Sequence, residues 1–128
     1  MKKISLFTKL FFHFSNIILL ILYLYPGSIL GWIVYKDLKK QPSFTSDFII
    51  SSNHVYAFIF LTVLGVIAYK KEIIKFLFIY LFSISLILEL FHLIIPNRSF
   101  QYADILGNFF GVLFVFLVFN LYHYFKNQ

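Results

Sequence analysis

Cysteine is absent from the chain, which excludes disulfides, thiol nucleophiles and thiolate metal sites. Charge is scarce as well. Only 12% of the residues are Asp, Glu, Lys or Arg, where a soluble domain carries about 25%. So few charges cannot coat a small globule in water. No phosphate-cradling glycine loop, no G-x-S-x-G elbow and no zinc signature occurs. The segment Tyr25, Pro26, Gly27, Ser28 after the first apolar run lacks an A-x-A-like step. A retained helix is therefore expected there, not a cleaved signal peptide.

What is present is apolar and aromatic. Hydrophobic residues make up 61% of the 128, and 19 are Phe. One small core has no room for that many rings, and lipid is the solvent that accommodates them. The length allows one domain, 1–128. A helix needs about 20 apolar residues to cross the hydrocarbon core. Stretches 10–35, 48–69 and 105–125 carry no charged side chain, and 76–97 carries one, Glu89. The expected fold class is all-α, an integral membrane bundle of about four transmembrane helices, with spans near 10–27, 49–69, 74–95 and 106–125. Pro26 and Gly27 should end or kink the first span. Residues 31–53 form the longest connector, with Trp32 and Tyr35 at the interface. Residues 70–75 make a tight turn.

The net charge of +6 comes from lysines at the ends of apolar runs, a pattern of membrane orientation, so no nucleic-acid partner is expected. With four spans, Lys2, Lys3, Lys9, Lys70, Lys71, Lys75 and Lys126 share one side. Lys36, Lys39, Lys40 and Arg98 share the other, which accounts for all 11 basic residues. The richer side is the cytoplasmic one, so both termini are expected there.

The polar residues inside these runs need a reason, since a charge there costs about 2.5 to 3.5 kcal/mol. Glu89 and His92 stand at i and i+3 on one helix face, with Ser85 on the same face. Asp104, Asn108 and Gly111 form one stripe of the last span, and His54 opens the second. Alternating helices bring all of these to the outer leaflet. The expectation is a small polar pocket between the second, third and fourth spans. Arg98 is the natural partner for the Glu89 carboxylate, with His92 or His54 as alternative sharers of its proton.

The string Glu89, His92, Pro96, Arg98, then Asp104, Asn108 and Gly111, with His54 opening the second span, resembles the core signature of the VanZ-like family over about residues 53–116. Two positions depart from that pattern: His92 stands where Gln is usual, and Ile50-Ser51 stands where Asp-Lys often precedes the helix-two His. The resemblance implies a bacterial inner (cytoplasmic) membrane protein, tied to glycopeptide resistance or to envelope and exopolysaccharide contexts.

Each residue also has a bland role. Glu89 would anchor two helices, Arg98 would snorkel to headgroups, Asp104 would favour the dipole at a helix start, and Asn108 would bond across helices. Ser51 and Ser52 read as helix caps. One Glu-x-x-His is half of what a di-iron bundle needs. A metal site from His54, Glu89, His92 and Asp104 is a minor alternative, so no metal and no cofactor are expected. The first functional expectation is a pocket of His54, Glu89, Arg98, Asp104 and Asn108 binding a membrane lipid or lipid-linked saccharide. The second is an intramembrane enzyme with Glu89 and His92 as acid and base. The third is a small channel or transporter subunit, working with a membrane-protein partner or as a homo-oligomer.

Overall fold

The computed structural model describes residues 2–69 and 71–128, with side chains described from Leu6 onward except at 71. Lys70 of the expected turn lies outside the described residues, as do the side chains of Lys2, Lys3 and Lys71. The described chain is all helical: α1 (Lys2–Leu24), α2 (Ile29–Tyr35), α3 (Ser52–Ala68), α4 (Lys71–Phe91) and α5 (Tyr102–Lys126). Leu6–Leu24, Glu72–Phe91 and Tyr102–Lys126 are long and apolar enough to cross a membrane.

Local chemistry sets the ends. Pro26 disfavours helical geometry at Tyr25, and Gly27 follows with φ +105, so α1 ends at Leu24, short of the expected 10–27 span. The Ser28 hydroxyl then accepts from the Gly31 N–H at 2.9 Å and starts α2. Lys36 closes α2 in the left-handed region at φ 56. Trp32 and Tyr35 are exposed on this short helix, with the ammonium groups of Lys36 and Lys40 over their rings at 4.7 and 6.0 Å.

The expected second span, 49–69, is helical only over the 17 residues of α3. It starts late because Asp47, not a serine, caps it: the Asp47 carboxylate accepts from both the N–H and the hydroxyl of Ser52, at 2.8 and 2.9 Å. Ser51 occupies the N-cap position without a side-chain cap bond. The expected third span, 74–95, stops being helical at Phe91. There the N–H groups of His92, Leu93 and Ile94 reach back three residues to the carbonyls of Glu89, Leu90 and Phe91. This tightening satisfies end carbonyls ahead of Pro96.

The four long helices alternate in direction. Tyr23 at the end of α1 bonds His54 at the start of α3, and Asn108 near the start of α5 bonds the Ser85 carbonyl late in α4. At the other end, Tyr69 finishing α3 bonds His13 midway along α1. α3 and α5 pack backbone to backbone. A Cβ on Gly107 would stand 2.6 Å from the Ser51 carbonyl, and one on Gly111 would stand 2.7 Å from that of Val55. The buried core runs through Phe12, Leu19, Phe58, Leu61, Phe78, Leu81 and Val112. Outside it, Phe7, Phe14, Ile67, Phe76, Phe114 and Phe125 are exposed along the helices, an apolar exterior that water does not favour.

Candidate functional site

The polar residues of the apolar runs meet at one end of the bundle, where α1 and α4 finish and α3 and α5 begin. Asn108 is fully buried. Its carboxamide oxygen accepts the Tyr23 hydroxyl at 2.6 Å and stands 3.0 Å from His54 Nδ1, while its nitrogen donates to the Ser85 carbonyl at 3.1 Å. One side chain thereby ties α5 to the three other long helices.

The bonding fixes the state of His54. Tyr23 spends its single proton on Asn108, yet its oxygen also lies 2.9 Å from His54 Nδ1. The cluster is satisfied when Nδ1 carries the hydrogen and donates into it. The other ring nitrogen, Nε2, then faces the Asp104 carboxylate at 3.7 Å. Asp104 sits in the first turn of α5, where an acid opposes the positive end of the dipole. The N-cap itself is Gln101.

Glu89 is fully buried. Its Oε1 accepts the Gln101 backbone N–H at 3.0 Å. Its Oε2 lies 3.0 Å from His92 Nδ1 as an ionic contact, yet no donor approaches Oε2 at hydrogen-bond angles. His92 Nε2 faces the Tyr23 carbonyl at 3.0 Å, and a carbonyl can only accept, so Nε2 carries a hydrogen. A further proton therefore belongs to the Glu89–His92 contact, on the imidazole or on the carboxyl.

Of the partners weighed from the sequence, His92 is the one that touches Glu89. Arg98 goes elsewhere: its Nε donates to the Tyr25 carbonyl at 3.1 Å and its Nη2 donates to the Leu22 carbonyl. It thus caps the end of α1, where a cation suits the dipole. Among the described residues it makes no ion pair with Glu89 or Asp104. Burial lowers its pKa from the ordinary guanidinium value, opposed by the charge of Glu89, and a guanidinium stays charged regardless.

Two cavities open from this cluster. A polar one of about 290 Å³ is lined by His54, His92, Arg98, Gln101 and Asp104, among others. An apolar one of about 310 Å³ is lined by Leu22, Tyr23, Leu30, Phe44, Ala57 and Phe60, among others. The two share Gln41, Asn53, His54, His92 and Arg98. The five residues expected to bind ligand therefore do not line one wall. His54, Arg98 and Asp104 face the polar cavity, whereas Glu89 and Asn108 sit behind it. Sequence reasoning missed Tyr23, which is central here, and missed α1 as a wall. The only available signal was a hydroxyl-bearing ring just ahead of the Pro26 break.

No family model, no curated protein and no solved structure matches this chain, so the likeness to the VanZ-like signature rests on the residues that carry it.

Proposed function

We propose that the chain crosses a membrane four times, with both termini cytoplasmic, and binds the headgroup of an anionic envelope lipid or lipid-linked saccharide at its outer-leaflet end. One observation carries this reading: a polar cavity and an apolar cavity share a wall of five residues. An amphiphile has that shape. Its headgroup fits beside Arg98, Gln101 and His54, and its chain fits among Leu22, Leu30, Ala57 and Phe60. The N–H donors of Arg98 left over from capping α1 suit a phosphate or carboxylate. Lys39 on the same cavity adds a second positive charge. The inward facing of Glu89, His92 and Asn108 supports a pocket within one bundle over a pore between subunits.

The test is native mass spectrometry of the protein extracted with its lipids. The wild type retains an anionic lipid, Arg98→Gln loses most of it (about tenfold or more, the scale of a charge-assisted contact), and Glu89→Gln keeps it. Equal lipid retention by the wild type and Arg98→Gln, with both folded, overturns the headgroup assignment. The buried Glu89–His92 pair at 3.0 Å favours a second reading, an intramembrane enzyme in which this pair moves a proton. On that reading Glu89→Gln retains lipid but accumulates it unmodified.

A further inference from the structure

We infer that His54, Glu89 and Asp104 form a binding site for a divalent transition ion of the Zn²⁺ or Mn²⁺ kind, on the wall of the polar cavity. One donor atom from each residue lies within 4.8 Å of the other two. A nitrogen and two carboxylate oxygens are the ligand types that suit such ions. One side of the triangle, His54 Nε2 to Asp104 Oδ2, is 3.7 Å. Ligand bonds of about 2.0–2.2 Å bring tetrahedral donors to roughly 3.3–3.6 Å of each other. Sides of up to 4.8 Å therefore close when the carboxylates turn inward by roughly 1.2–1.5 Å.

Three independent features favour an ion over a plain acidic cluster. The first is Glu89: it is 0% exposed, and its Oε2 has no hydrogen bond, only the contact with His92 Nδ1 at 3.0 Å, whose proton an ion would replace. A buried carboxylate oxygen without a donor is costly unless a cation or a proton meets it. The second is the orientation of His54. Its Nδ1 is held by Tyr23 and Asn108 at 2.9 and 3.0 Å, which leaves Nε2 bare on the side of the acids. Ligating imidazoles are held in just this manner through their other nitrogen. The third is what Arg98 does. It is the nearest permanent cation, yet its donors are turned to the carbonyls of Leu22 and Tyr25. Neither carboxylate has it as an ion-pair partner. Two acids thus stand close together in a poorly solvated place, and a divalent ion between them relieves their repulsion. The adjoining cavity supplies both an entry path and room for further oxygen ligands.

The site goes beyond the headgroup reading, because ion binding is measured with no lipid present and its failure is a separate result. Protein purified in detergent is stripped with a chelator, dialysed and titrated with MnCl₂, with free Mn²⁺ read by electron paramagnetic resonance. ZnCl₂ is then added as a competitor. The wild type binds one Mn²⁺ per chain and releases it to Zn²⁺. Asp104→Asn and His54→Gln each weaken binding by about tenfold or more. Asp37→Asn, an acid bonded to the Lys39 N–H away from the cluster, leaves it unchanged. Circular dichroism melts confirm that each variant is folded. Absence of saturable Mn²⁺ binding to the wild type overturns the site. So does wild-type affinity in a folded Asp104→Asn or His54→Gln.

Discussion

Asn108 shows what one polar side chain does inside an apolar bundle. It bonds Tyr23, His54 and the Ser85 carbonyl, so it joins all four long helices without carrying charge. Removing it strands a phenol, an imidazole nitrogen and a carbonyl in a largely buried place. Asn108→Ala is expected to destabilise the fold by about 1–3 kcal/mol, read from the unfolding midpoint in detergent. Ser83→Ala on α4 removes a hydroxyl that bonds only its own helix, at Ile79, and is expected to stay within about 0.5 kcal/mol. Equal midpoints for the two variants contradict this account. Asn108, His54 and Glu89 were readable in the sequence because each interrupts an apolar run. Tyr23 was not, since it is one of nine tyrosines in a chain rich in rings. A phenol that bonds a partner looks the same in sequence as one that sits at the lipid boundary. Arg98 was readable as important, but its partner was not: the carbonyls it caps come from a segment more than seventy residues earlier.

Between elements, the closest approach is α3 against α5. Gly107 and Gly111 lie one turn apart on α5, and both meet α3 backbone. In an exposed helix interior, Gly→Ala gains about 1 kcal/mol of propensity. Here the added Cβ of Gly111→Ala would stand 2.7 Å from the Val55 carbonyl and 2.8 Å from the Phe58 Cβ, and overpacking of that kind costs about 1–3 kcal/mol. A lower unfolding midpoint is therefore expected, and a higher one shows that the helices separate freely. The spacing Gly-x-x-x-Gly was visible in the sequence, but so was Gly27-x-x-x-Gly31, which lies across the break between α1 and α2. Only the facing helix tells the two apart. The ends of α3 were hidden for a similar reason. Asp47 reaches Ser52 across an irregular loop, and no local pattern announces that capture.

For the molecule as a whole, four alternating helices place residues 36–51 and 92–101 at one end and Tyr69 with the start of α4 at the other. On the proposed four-pass topology, the first end faces outward and the C-terminus lies inside. Because the chain has no cysteine, single replacements give a clean test. A membrane-impermeant maleimide should label Ser46→Cys in intact cells, and Asn127→Cys only after permeabilisation. Both are exposed positions. Labelling of both from the same side rules out this topology.

Composition and run length were enough to dictate an all-helical chain with segments suited to a bilayer. An apolar stretch without charge has few other solutions, since its backbone must satisfy its own hydrogen bonds. Alternation of direction followed from successive crossings, and it was enough to gather the polar groups at one end. Pairing within that gathering was a matter of packing. Whether Glu89 meets His92 or Arg98, and whether His54 turns its bare nitrogen toward Asp104, depends on ångström-scale placement of four helices. Separations of that size are set by glycine contacts and caps far apart in the chain, and residue order alone does not encode them locally.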